Sequence, residues 1–328
     1  MSIHHFCIFG VVFLQKFIKN SILLAAFSVL TAAILRYPAI ALSYAADGLN
    51  IWFSKMIPTL FPFMVLSGML LGLGLAENFA KPFRPFLYPL LAVNDRCLYC
   101  VVIGFLCGFP MGAKITADMY RLKMLARSEA ELLLSFCNNI GPVFFTGFVL
   151  PFLPHEVPVG FYLFGMYGIP LCYGACLCRL KSRRFKQSYA PAQDCIKIQN
   201  LPDFWNVLDQ SVSLAAENIT KLGGYMIFFN LLNLLPTLFL PENTPFSHTA
   251  GVLLRLFLEI TGGISHAGSA HPLMILTFLP FGGLSCIAQT SGMLSGTDLP
   301  LKPYAFHKLL QSILSFLYYS ACFRLFLR

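Results

Sequence analysis

GFLCGFPMGAK, residues 104–114, lies inside a long apolar run, yet it holds three glycines and a proline and ends on a lysine. Proline removes a backbone donor and disturbs the turn before it. Glycine permits a tight reversal. The stretch therefore predicts two short helices joined at a break over Gly108–Gly112, with Pro110 inside it. An ordinary span with a proline kink is the simpler alternative. Irregular backbone at membrane depth persists only where protein buries it or water reaches it, so the break points to a shielded interior.

Composition supports that setting. The 328 residues are 57% hydrophobic and only 11% charged, with a mean hydropathy of +0.71. Soluble domains average about 25% charged residues, and a membrane span needs roughly 20 apolar ones. Several stretches qualify, so the expected fold class is an all-α polytopic membrane protein whose first partner is the lipid bilayer. The net charge of +9 fits orientation by the positive-inside rule. No Lys/Arg-rich domain stands outside the membrane, which argues against nucleic acid. The eleven cysteines read as small core residues, several of them in apolar segments, and not as a disulfide framework. Ser21–Ala46 reads as a first span interrupted by Arg36.

Loop charge predicts topology. Lys16 and Lys19, then Lys81, Arg84 and Arg96, then Arg121, Lys123 and Arg127, and the basic loop at 179–200 mark cytoplasmic segments. Residues 154–160 and 236–250 carry no Lys or Arg and are expected outside. Both termini are then expected in the cytoplasm of a multi-pass protein of the cell (inner) membrane. Because basic loops flank 97–120 on both sides, this segment is expected to enter and leave on the same face as a re-entrant hairpin.

An internal match extends the pattern. GFPMGAK (108–114) and GLSCIAQ (283–289) share spacing at an offset of 283 − 108 = 175. This predicts two inverted repeats, each with a re-entrant helical hairpin, the second over 272–298 with its break at Gly282 and Gly283. The expected divisions are 1–46, an N-terminal segment with the first span; 47–180, a first repeat; 181–204, a basic cytoplasmic loop; and 205–328, a second, inverted repeat. Inverted repeats with broken segments point to a secondary transporter with a site near the midplane.

Candidate substrate-binding residues follow from polarity near the breaks. In the first half they are Lys114, Thr116, Asn138 and Asn139. In the second they are Glu217, Asn218, Ser285, Gln289 and Thr290. Ionisable groups inside a membrane are costly and mark function by default. The competing readings are a snorkelling lysine and asparagines that only join helices. Arg255 and Glu259, at i and i+4 in GVLLRLFLEITG, read as a surface ion pair on a short interfacial helix. His266 and His271 lack carboxylate or cysteine company, so no metal site is expected, and no cofactor is implied. HExxH, GxSxG and paired membrane aspartates are missing, which argues against an enzyme.

Four blocks, ADGLNIWFSKMIPTLFPFMVLSGMLLGLG, GFPMGAKITADMY, SEAELLLSFCNNIGPVFF and FGGLSCIAQT with TDLPLKPYAFHKLL, resemble the sporulation integral membrane proteins of the YlbJ type, over about residues 45 to 327. That family carries the nucleoside-recognition, or Gate, domain also found in concentrative nucleoside transporters. The resemblance implies a multi-pass inner-membrane protein needed for spore formation, with a transporter-like core. Lys114 in the first hairpin fits a small polar or anionic solute better than a nucleoside. A homo-oligomer is compatible with this reading. A membrane scaffold that works through protein partners is the alternative.

Overall fold

The computed structural model describes residues 3–185, 203–240 and 244–327, and every ordered element among them is helical. Most of the expected basic loop at 181–204 and part of 236–250 lie outside the described residues.

Six elements are long and apolar enough to cross a membrane: Lys19–Arg36, Pro38–Gly72, Val159–Leu180, Phe204–Phe239, Pro272–Met293 and Leu301–Phe326. The first is almost unburied and presents Ile22, Leu24, Phe27 and Leu35 outward, as a lipid-facing helix would. Arg36 does not interrupt this span. It ends it, lying over the Tyr37 ring at 5.3 Å, and Pro38 starts the next helix in the position where a missing backbone donor costs nothing.

The first predicted break turns the chain back. Asp95–Cys107 and Met111–Arg121 pack side by side around Gly108, whose φ of +93° only glycine adopts readily. Cys100 Sγ meets Met119 Sδ at 3.4 Å, so the arms are antiparallel. Ala76–Leu91 precedes the hairpin and bends 98° into it. Arg96 to Glu77 at 2.7 Å and Asn94 to Glu129 at 2.8 Å tie that approach to the mouth of the hairpin.

The second half differs from expectation. Pro272–Met293 makes one candidate span, interrupted between Phe278 and Gly283, where Gly282 and Gly283 have φ of +74° and +78°. The fold-back lies earlier. Pro245–Leu258 and Ile260–Ala267 pack together, and the reversal falls on Glu259, which is extended at φ −149°, ψ 119°. The hairpin expected over 272–298 is thus a broken helix, and the second reversal of the chain falls at Glu259. The expected helical pairing of Arg255 with Glu259 fails for the same reason. The helix stops between them, and both residues are buried.

Two ends of the molecule can be told apart. At the basic end, Arg121 donates to the carbonyls of Met293 and Ser295, both at 2.7 Å. Arg127 pairs with Asp298 at 3.0 Å. Lys302, four residues after Asp298, lies at this same basic end. At the opposite end, Tyr319 donates to Tyr162 O at 2.7 Å and Tyr162 to Pro154 O at 2.9 Å. Phe326 stacks near Phe161 there. Leu301–Phe326 runs between the two ends over about 39 Å, at 1.5 Å per residue. Its C-terminal end lies with residues 154–162, not with the basic mouth. The expectation that residues 154–160 lie outside and the C-terminus inside therefore cannot hold for both.

Candidate functional site

The site begins with a stretch that gives up its helix. Arg127–Leu134 unwinds at Ser135, and helix resumes at Pro142. The unwound residues pass between the arms of the first hairpin. A Cβ at Gly104 or Gly112 would stand 2.1 or 2.4 Å from the Cys137 carbonyl oxygen. Glycine is needed at Gly112 for this close approach, and not for a positive φ.

Unwinding leaves backbone groups without helical partners, and buried polar groups must find substitutes. Asn139 Nδ2 serves Phe136 O at 2.7 Å, and further partners reach in from the second half of the chain. Asn138 accepts from the Ala113 amide at 3.3 Å and donates to Thr290 Oγ1 at 3.1 Å and to the Tyr304 hydroxyl at 3.0 Å. Gln311 Nε2 donates to Ser135 O at 2.7 Å. Lys308 donates to Asn139 Oδ1 and to Gln311 Oε1, both at 3.0 Å, and lies 5.1 Å from the centre of the Phe109 ring. Lys308 is fully buried and has only neutral acceptors and an aromatic face around it. Among the described residues it is the deepest cation.

The tip of the second hairpin is built around Glu259. Its Oε2 accepts from Asn230 Nδ2 at 3.0 Å, Thr261 Oγ1 at 2.6 Å and the Gly262 amide at 2.6 Å. The carboxylate thereby caps Ile260–Ala267, where the positive end of the helix favours it.

These interruptions meet. Gly282 stands next to Phe109, with 3.5 Å from an ideal Cβ to the ring. A cavity of about 60 Å³ lies between them, lined by Gly108 and Phe109, Ile140 and Gly141, Glu259 to Thr261, and Cys286 and Gln289. The faces of Met56–Phe63 and of Leu222–Met226 close it.

A second, larger cavity of about 480 Å³ lies toward the basic end, lined in part by Lys114, Asp118, Arg121, Gln210, Glu217 and Lys221. Lys114 is mostly buried and pairs with Asp118 at 2.6 Å, and Asp118 also takes Arg121 at 2.7 Å. Lys221 pairs with Glu217 one turn away. The helix that ends at Gly72 lines both cavities, through Leu60 and Phe63 in one and Met64 and Gly68 in the other. Gly283–Met293 does likewise through Gln289 and Met293. Below the mouth, Tyr120 donates to Asp298 at 2.6 Å, which holds that carboxyl below its ordinary range, and Arg127 adds to the effect.

The predicted residues fall into three groups. Lys114, Glu217 and Asn218 line the large cavity. Gln289 and the break residue Gly108 line the central one. Thr116, Asn138, Asn139, Ser285 and Thr290 are buried and hydrogen-bonded: Thr116 to Gly112 O at 2.7 Å and Ser285 to Gln289 at 3.0 Å. Glu259 was read only as half of a surface ion pair, and Lys308 was not singled out. Their signal was present, since each is an ionisable residue within an apolar stretch.

Among the described residues no group of three or more His, Cys, Asp and Glu is placed to hold a metal ion. Nine of the described cysteines form no disulfide, and seven of these are buried.

No family model matches the chain, and no solved structure matches it. It is 27% identical over 336 aligned residues to the sporulation integral membrane protein YlbJ of Bacillus subtilis (strain 168), across 90% of this chain and 80% of that relative. With six helices able to cross a membrane, the chain is a multi-pass membrane protein similar to that sporulation protein.

Proposed function

We propose that this protein takes part in spore formation as a permease for a small polar or anionic solute, through a Gate-type core. The observation that carries the reading is the central cavity, where two hairpin tips and the unwound stretch at Ile140–Gly141 converge against the helix Gly283–Met293. Its neighbour toward the basic end holds Lys114, Arg121 and Lys221 against Asp118 and Glu217, one positive charge in excess and suited to attract an anion. The positive-inside rule assigns that end to the cytoplasm, so this conformation is one open inward.

The core is read as two inverted repeats. Hairpin, broken helix and long helix occur in that order at 95–121, 127–152 and 159–185, and again at 245–267, 272–293 and 301–326. The offset is then near 283 − 142 = 141 residues, and the 175-residue motif match pairs elements that are not equivalent. In this register both hairpins are re-entrant, from opposite faces. Sodium-coupled and proton-coupled carriers built this way place the site at the repeat interface.

The scaffold reading rests on one observation. Asn138, Asn139, Thr290, Tyr304, Lys308 and Gln311 satisfy one another, which gives a rigid centre without a solute. Uptake of radiolabelled small anions into proteoliposomes separates the two. A permease accumulates at least one solute, and Lys114→Ala reduces that uptake. Absence of uptake for every solute, together with a normal sporulation phenotype for Lys114→Ala, would favour the scaffold.

A further inference from the structure

We infer that the larger cavity is a lateral groove that binds the headgroup of an anionic glycerophospholipid from the leaflet at the basic end. Its depth comes from the helix Phe204–Leu231, which has 28 residues and a length of about 42 Å. Val207 packs against Gly72 near the basic end, and Ser211 against Gly68. From Val207 to Lys221, both in the cavity wall, this helix descends about 21 Å, past its own middle at Glu217–Asn218. The upper limit is set by Ala76–Leu91, which follows Gly72 and meets Asp95–Cys107 at 98°. It exposes Phe86 and Tyr88, with Arg84 over the Tyr88 ring at 5.3 Å. Basic and aromatic side chains together mark the headgroup layer. The groove therefore runs from the headgroups to the middle of the bilayer.

Among the described residues nothing covers the deep end from the side. Glu217 and Lys221 are 58% and 57% exposed, and the lining residues Leu122 and Leu214 are more than half exposed. Ionisable groups that face acyl chains at that depth are costly, so this flank needs a polar occupant. The lining cations Lys114, Arg121 and Lys221 outnumber the carboxylates Asp118 and Glu217 by one, and one phosphodiester balances that charge. Arg121 is spent on Asp118 and on two carbonyls. Lys114 and Lys221 give one N–H each, to Asp118 and Glu217, and meet no second acceptor among the described residues. An ammonium has three donors, so both lysines keep charge-assisted bonds for phosphate oxygens. The apolar wall of Met64, Leu71 and Leu214 suits the glycerol backbone and leaves the acyl chains in the bilayer. Basic pockets between membrane helices on the cytoplasmic side are the setting in which such headgroups bind. The volume of about 480 Å³ has room for a glycerophosphoryl head, which the central cavity of about 60 Å³ does not.

This inference goes beyond the permease reading and does not require transport, because binding is read on the purified protein. Thermal unfolding is followed in neutral detergent as dioleoyl phosphatidylglycerol, dioleoyl phosphatidylcholine or glycerol 3-phosphate is added. Phosphatidylglycerol is expected to raise the midpoint saturably, at a mole fraction at least about tenfold below that needed of phosphatidylcholine, and glycerol 3-phosphate is expected to do nothing. Lys221→Gln should move the phosphatidylglycerol titration at least about tenfold higher in lipid. Glu217→Gln, which frees the Lys221 ammonium, should move it lower. Lys302→Gln removes an exposed charge at the same end but outside the groove and should leave the titration unchanged. Equal midpoints in the two lipids, a response to glycerol 3-phosphate alone, or an unchanged titration in Lys221→Gln overturns the assignment. A midpoint that follows protein concentration and ignores lipid gives this face to a second copy of the chain, and overturns it as well.

Discussion

Alanine at Gly104 or Gly112 tests whether the unwound stretch is clamped by the hairpin. An added methyl would meet the Cys137 carbonyl oxygen at 2.1 Å in the first case and 2.4 Å in the second, where ordinary contact starts at 3.4 Å. Residues 135–141 must then retreat by about 1 Å, as a methyl forced into a packed core requires. Overpacking of this kind costs about 1–3 kcal/mol. The retreat also stretches the Asn138 bonds to Ala113, Thr290 and Tyr304, each worth about 0.5–1.5 kcal/mol. With about half of each bond forfeited, the total of about 2–5 kcal/mol for either substitution corresponds to a fall in midpoint of about 4–10 °C, at roughly 2 °C per kcal/mol for a chain of this size. Both methyls press on the same oxygen, so the double variant should cost less than the two singles added, by a coupling of about 0.5–3 kcal/mol. Unfolding followed with a thiol-reactive fluorophore reads this directly, since Cys97, Cys100, Cys107 and Cys137 are buried around the clamp. Gly224→Ala is the control, because nothing lies within 4 Å of its added carbon, and it should be neutral or slightly stabilising. Singles within about 0.5 kcal/mol of wild type, or costs that simply add, would refute the clamp.

Lys308→Met strips the donor from Asn139 Oδ1 and Gln311 Oε1, and two unsatisfied buried acceptors cost about 1–3 kcal/mol each. A clear loss of thermal midpoint is expected, with no change for the exposed Lys302→Met. For topology, Ser295→Cys and Leu327→Cys, in a background lacking Cys172 and Cys176, should label from opposite faces with an impermeant maleimide. Labelling from one face would contradict the path of Leu301–Phe326.

Much of the architecture is legible in composition and punctuation. Pro110 between Gly108 and Gly112 announces the first reversal, and Asn138–Asn139 before Gly141–Pro142 marks the unwound stretch. The second hairpin carries no such punctuation. Its turn is Leu258-Glu259-Ile260, and a carboxylate that caps the following helix does the work that glycine and proline do in the first. The glycines at 282 and 283 therefore drew the expectation to the wrong element, 24 residues downstream (283 − 259 = 24). Arg255 and Glu259 have the spacing of a surface pair, and only the interruption between them removes the geometry that spacing assumes. Lys308 sits in an uninterrupted apolar helix whose outward neighbours Phe306 and Leu309 are exposed. Its charge in an apolar stretch is a local signal, but its partners are not legible locally, because its acceptors lie in part 169 residues away.

That separation has a consequence for how the molecule is made. Ser135, Asn138 and Asn139 wait for Gln311, Thr290, Tyr304 and Lys308, partners 152 to 176 residues later in the chain. At about 5–20 residues per second of synthesis, the delay is roughly 8–35 seconds. During that interval the unwound stretch of the nascent first half has only its local partners, such as Ala113 and Phe136. Tyr304, Lys308 and Gln311 all lie on Leu301–Phe326, so that helix completes a polar centre whose first half is already made.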